Sequence, residues 1–134
     1  MANELVVTDL LGNNGDQISF TCADNTAMTK GAIMELTDPR TVRTVTAVDV
    51  PVVGILAHDK VADDGMTQVS VITNCIAVAM SETGNPTIGD EVSPSATANS
   101  LNLASTLDME KGWALGYSLE NATAGETFLV RIKK

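Results

Sequence analysis

The chain has 134 residues, of which 44% are apolar, so it can bury the core of one domain. Seventeen Asp and Glu residues outnumber eight Lys and Arg residues, which gives a net charge of −9, and aromatic side chains make up only 3%. Such a chain repels phosphate backbones and offers little stacking surface, which argues against nucleic acid or carbohydrate as partners. No apolar stretch approaches the roughly 18 residues that span a bilayer, so no membrane partner is expected.

Strands dominate the predicted elements. Sixteen threonines and fourteen valines favour pleated surface, and ten glycines with four prolines interrupt the chain at short intervals. Gly12–Gly15 and Asp38–Arg40 have the composition of turns, and no window of a dozen residues repeats apolar side chains at helical spacing. Ten strands are predicted in chain order, at residues 4–11, 17–22, 32–37, 41–47, 52–57, 67–73, 75–80, 91–93, 113–119 and 127–133.

The segment 93–112 is rich in Ser, Ala, Asn and Thr and has no clear period. We interpret it as a surface loop or an added pair of strands, and loops of this kind often carry contacts.

Residues 53–72 contain the side chains best able to bind a metal or move a proton. His58, Asp59, Asp63 and Asp64 lie close together there, with Lys60 among them. A metal site needs ligands that converge from several elements, and the chain has no GxSxG, P-loop or HExxH motif. We interpret the stretch as a solvated loop between strands, and we predict no catalytic residue, no metal ligand and no cofactor. An enzyme that uses His58 with Asp63 or Asp64 is the distant alternative.

The two cysteines, Cys22 and Cys75, lie far apart and belong to no CxxC motif. Buried, unpaired thiols are therefore expected.

An internal comparison supports the loop interpretation. When Gly54 is aligned with Gly116, both segments read as an apolar-Gly-apolar strand, a polar loop, a glycine and a second strand. An earlier glycine recurs too, at Gly31 and Gly89, each just before a short strand. The second copy keeps the polarity of the loop without its histidine, which indicates a structural role. Glycines within strands permit a sharp bend or a close backbone approach, so a small, strongly bent barrel is predicted.

The N-terminal segment carries a dense apolar run for a chain end. Two interpretations remain open: a strand of the barrel, or an extended arm that pairs with the strand edge of a partner. The contact residues predicted for an arm are Leu5, Val6, Val7, Leu10 and Leu11.

The order of these motifs resembles a known family. KGAIMEL, VVGILAHDK, QVSVITNCIAVAM, TIGDEVSPS and ALGYSLENATAGETFLVRI follow one another as in the small head decoration, or cement, proteins of tailed bacteriophages. The resemblance covers about residues 26–133. The matching positions are Gly31, Gly54 and Ile55, Gly89, Asp90 and Val92, and the stretch from Gly116 through Gly125 to Arg131.

The resemblance implies an all-β fold, a compact β-barrel or β-tulip domain at 25–134 preceded by an N-terminal arm or edge strands at 1–24. It also implies a homotrimer, made in the host cytoplasm, that binds the major capsid protein on the outer surface of the virion. There it would stabilise the shell by clamping neighbouring subunits. A tail or baseplate β-module, or a bacterial ligand-binding or adhesion barrel, is the alternative with the same composition.

Overall fold

A computed structural model describes residues 3–82 and 84–134. Within these ranges the chain is built from strands with one short helix, so the all-β prediction is confirmed, and each predicted strand overlaps an observed one. The helix α1 is Thr106–Lys111, and the strands are β1 (Val6–Leu10), β2 (Ile18–Thr21), β3 (Ile33–Asp38), β4 (Thr41–Thr44), β5 (Val52–Leu56), β6 (Gln68–Ile72), β7 (Asn74–Ser81), β8 (Glu91–Pro94), β9 (Ser100–Leu103), β10 (Gly116–Ser118) and β11 (Thr127–Lys133).

The strands form two barrels rather than the single barrel expected. The first barrel closes in the order β2-β4-β3-β5-β6. The second contains β7-β11-β10-β8-β9 and closes through pairing of β7 with β9, while β1 extends its sheet at the other part of β7. Each barrel is one contiguous run of chain, so each repeat buries its own interior.

The two barrels have the same topology, which makes the sequence repeat a structural duplication. The parallel pair β2–β4 corresponds to β7–β9, and every other pair within the two barrels is antiparallel at matching places. Gly54 pairs with Met34, and Gly116 pairs with Val92. The Gly31 N–H donates to Leu56 O at 2.9 Å, and the Gly89 N–H donates to Ser118 O at 2.8 Å. Residues that share these bonds are called equivalent below.

Two clusters of buried side chains fill the molecule. One occupies the first barrel and includes Met34, Leu56 and Val71. The other fills the second barrel and continues onto the outer wall of the first, where Ile33 and Ile55 are fully buried. Because one cluster spans both barrels, the barrels are packed directly against each other.

Both cysteines are buried and unpaired, as predicted. Cys75 points into the second barrel, and burial raises the pKa of its thiol to about 11, against the opposing charge of Arg131.

The helix α1 and strand β9 both lie in the segment interpreted as a loop or a strand pair. Ser105 caps the helix by accepting a hydrogen bond from the Asp108 N–H at 3.1 Å, and Gly112 ends it in the left-handed conformation. A helix of six residues is too short for its apolar period to be seen in the sequence. Among the described residues, no helix has the length and apolar character needed to cross a bilayer.

Candidate functional site

The N-terminal segment is a strand on the edge of the chain's own sheet. β1 runs antiparallel to β7 from Val6–Val78 to Leu10–Cys75, with a bulge between Val7 and Asp9. Among the described strands, only β7 pairs with β1, so the other side of β1 is open. Of the two interpretations, arm or strand, the structure therefore has a strand, at the edge of the sheet rather than in its interior.

The predicted contact residues of this segment divide into two groups. Leu5 is 4% exposed and packs between the two barrels, and its N–H donates to Gly31 O at 3.0 Å. A side chain at Gly31 would collide with Leu5, since a Cβ there would lie 2.3 Å from Leu5 O. Val6 and Leu10 are exposed, whereas Val7 and Leu11 are half-buried. Val6 and Leu10 are thus the predicted contact residues that a partner can reach most readily.

His58 and Asp59 hold the backbone of their own barrel. His58 Nε2 lies 3.4 Å from the Ser70 N–H and accepts from it, and Asp59 Oδ1 accepts from the Lys30 N–H at 2.7 Å. The equivalent residues of the second barrel make the same two bonds. Glu120 Oε1 accepts from the Leu129 N–H at 2.9 Å, and Asn121 Oδ1 accepts from the Ile88 N–H at 3.0 Å. Three chemically different acceptors and a histidine therefore perform one structural task.

Lys60 departs from the interpretation of a solvated loop, because its side chain is fully buried. Its ammonium donates to Asp24 O at 2.8 Å, to Val61 O at 3.1 Å and to Asp64 Oδ1 at 3.2 Å. Burial lowers the pKa of Lys60, but the hydrogen bond and charge of Asp64, with Asp24, outweigh it and raise the pKa overall. The Met66 N–H and Lys60 lower the pKa of Asp64 against the opposing effect of burial. The ammonium thus ties the loop 60–66 to Asp24.

The side chains with metal-binding chemistry do not converge. Over residues 3–82 and 84–134, no group of three or more His, Cys, Asp or Glu residues is placed to hold a metal ion. Asp63 lies in the left-handed region, with φ of 59°, and its carboxylate makes no hydrogen bond to a described residue.

The terminal basic residues are bound to their own chain in part. Arg131 Nη2 donates to Asn74 Oδ1 at 2.6 Å, and Asn74 Nδ2 donates to Asp16 Oδ2 at 2.8 Å. The Lys134 ammonium donates to Gly112 O and Ala114 O. These bonds border an open cavity of about 580 Å³ at the corner between the two barrels.

Sequence reasoning missed an apolar surface on the outside of the second barrel. Along β7, the inward residues Cys75, Ala77 and Ala79 are small, while Ile76, Val78 and Met80 point outward and are half-buried. The signal was present, because a strand that is apolar at every position is typical of burial on both faces.

No protein-family model matches the chain, and no curated protein matches it. A solved structure with a similar fold is the head fiber gp8.5 N base in bacteriophage phi29, with a TM-score of 0.53 and 14% sequence identity. The match covers 87% of this chain and 93% of that chain. At this level of identity the likeness establishes a shared fold, over nearly the full length of both chains.

Proposed function

We propose that this chain is a non-enzymatic structural protein of a bacteriophage virion that binds the outer surface of the assembled head. There it stabilises the shell by clamping neighbouring major capsid subunits. The observation that carries the proposal is the fold, which the chain shares over 87% of its length with the base of a phage head fiber. The motif order of residues 26–133, which resembles head decoration proteins, supports the same role independently.

The roles of the polar loop residues support a function without catalysis. His58, Asp59, Lys60 and Asp64 are each engaged in holding backbone or a buried charge, and the second barrel keeps two of these bonds with other residue types. A reaction would require the same groups to face a substrate. The stabilisation proposed here needs no reaction, because a protein that binds only the assembled shell deepens that state by mass action.

The open edge of β1 is the contact that we propose for the capsid. An edge strand with unpaired backbone groups can add a strand from a partner, and its exposed side chains then give the fit. Leu10 lies on this edge and is 44% exposed.

Cosedimentation with empty, expanded capsids tests the proposal. The wild-type protein should pellet with capsids, bind until its sites are saturated, and raise the temperature at which the shells open. Leu10→Lys should weaken binding at least tenfold, because a lysine on an edge strand disfavours strand addition. Met66→Lys is the matched control, since Met66 is 38% exposed and lies outside β1. A wild-type protein that stays in the supernatant would overturn the capsid role, and equal binding by both variants would remove β1 from it.

A further inference from the structure

The outside of the second barrel presents two rows of side chains that cross several strands. Residues paired directly across antiparallel strands share a face of the sheet. The register therefore aligns a first row, Asp9, Ile76, Arg131, Tyr117 and Glu91. The second row contains Val6, Val78 and Leu129, followed by Leu119, whose N–H donates to Leu129 O at 2.9 Å. We call the patch of Ile76, Val78, Leu119, Leu129, Tyr117 and Arg131 the outer face.

The outer face is apolar where the barrel itself does not need it. The first barrel has Ser19, Ser70 and Ala57 at the positions equivalent to Val78, Leu129 and Leu119. Ser19 is exposed, and the first barrel closes with these small residues in place. Burial of large side chains at these positions is thus not a condition of the fold.

The same wall of the first barrel is already an interface. Ile33, Ile55 and Ile72 form the row equivalent to Glu91, Tyr117 and Arg131, and they are buried against the second barrel. In the second barrel this wall faces away from the first and is covered by no described strand. The duplication therefore places a second docking wall on the molecule, with different side chains.

The charges on the wall complement one another but are not paired within the chain. Arg131 Nε is buried and has no hydrogen-bond partner among the described residues, and no described carboxylate lies within 4 Å of the guanidinium. Asp9 and Glu91, at the two ends of the first row, make no side-chain hydrogen bond or ion pair to the described residues, and Lys134 acts on Glu91 only at longer range. An unpaired buried donor costs free energy that a carboxylate from outside would recover.

We propose that the outer face binds a second copy of this chain. The face carries a cation in its centre and carboxylates at its ends, so a displaced or rotated copy can place Asp9 or Glu91 against Arg131. Its apolar row supplies the dry centre and its charges the rim, the usual arrangement of a subunit interface. Five strands about 4.8 Å apart and three residues deep give a footprint of roughly 500 Å². This is smaller than the roughly 800 Å² per partner of a standard interface, so association should depend strongly on concentration.

Sedimentation velocity of the free protein tests this inference without capsids. The wild type should sediment above its monomer mass of 14.0 kDa as its concentration rises. A variant with the first-barrel residues, Val78→Ser with Leu129→Ser and Leu119→Ala, should stay folded by circular dichroism and remain a monomer. A wild type that is monomeric at every concentration, or a folded variant that associates as the wild type does, would overturn the inference.

A second variant keeps the test valid should the triple substitution fail to fold. Asp9→Lys with Glu91→Lys leaves the apolar residues in place and should weaken association at least tenfold. Asp38→Lys with Glu110→Lys changes the net charge equally at exposed positions off the face, and should not weaken association. Equal association of the two double variants would overturn the inference.

The inference goes beyond the proposed function, and capsid pelleting separates the two. Variants that are monomeric but still pellet would leave both standing. A wild type that associates but does not pellet would overturn only the capsid role. Loss of pelleting by the triple variant, with a wild type that is monomeric when free, would assign the face to the capsid protein and overturn the inference.

Discussion

Gly54 and Gly116 occupy equivalent positions in the two barrels, and each lies against a carbonyl oxygen of the next strand. A Cβ at Gly54 would lie 2.2 Å from Ile72 O, and one at Gly116 would lie 1.8 Å from Arg131 O. Both obstacles are backbone atoms, which cannot move without shifting a strand. The barrels can therefore close this tightly only because both positions lack a side chain.

Gly116→Ala should destabilise the protein by about 3 kcal/mol or more, or prevent folding, because overpacking against backbone forces a strand to move. Gly89→Ala is the control: no atom lies within 4 Å of its Cβ, and only its φ of 85° opposes alanine. That strain costs about 1 kcal/mol. Urea unfolding measures both values. A Gly116→Ala protein as stable as Gly89→Ala would contradict the steric argument.

Most of the strands could be predicted from local sequence, because alternation and turn residues act over a few positions. The repeated glycines Gly54 and Gly116 also indicated the duplication. The closure of two barrels could not be read in this way, because it depends on the parallel pairs Thr21–Thr41 and Met80–Ser100, each only one or two residues long. Strand β9 was missed because its Ser and Asn side chains are typical of loops.

The candidate site was predictable only in part. The sequence indicated a loop at His58 and an apolar N-terminal segment, but the partners of these residues lie far along the chain. Nothing local indicates that Lys60 is buried beside Asp24, or that Ile76 and Arg131 share one face.

The end of the duplication has a physical reason. Ile33 and Ile55 cover the wall that meets the second barrel, whereas Glu91 and Tyr117 occupy the same places at the far end. A third barrel packed there in the same way would bury an unpaired carboxylate. Terminal repeats commonly carry such polar outer walls, which stop further stacking.

His58→Glu should change the stability by less than about 1 kcal/mol, because Glu120 makes the equivalent bond in the second barrel. His58→Leu leaves the Ser70 N–H without its acceptor and should cost about 1–3 kcal/mol. Urea unfolding of the two variants checks this order. A glutamate variant less stable than the leucine variant would show that the ring, and not the acceptor, matters at this position.

Asp64→Asn should lower the midpoint of urea unfolding at pH 7, since it removes the carboxylate that pairs with the buried Lys60 ammonium. The folded pKa of Asp64 is lowered, so its contribution is present above the ordinary value of 3.8 and is lost as the pH falls through the folded value. The difference between wild type and variant should therefore close in strong acid. The raised pKa of Lys60 places the loss of its own contribution above its ordinary value of 10.5, so it does not interfere.

Asp63→Asn is the control for this experiment. Asp63 neighbours Asp64 in sequence and tolerates the left-handed conformation as asparagine does, and its carboxylate bonds to no described residue. Its midpoint should match that of the wild type at every pH. A pH-independent difference for Asp64→Asn would show that the charge of Asp64 is not what stabilises the loop.

Leu5 and Val6 are neighbours with opposite surroundings, so they separate the structural role of the N-terminal segment from its role in contact. Leu5→Ala removes a side chain buried between the barrels and should cost about 2–5 kcal/mol. Val6→Ala alters a side chain that is 63% exposed and should change stability by no more than about 0.5 kcal/mol. Deletion of residues 2–10 should cost more than Leu5→Ala, because β7 also loses the backbone bonds of β1. Thermal unfolding of the three proteins, followed by circular dichroism, measures this order. A truncated protein with an unchanged unfolding midpoint would mean that the segment is a detached arm, and that its pairing with β7 contributes nothing to the fold.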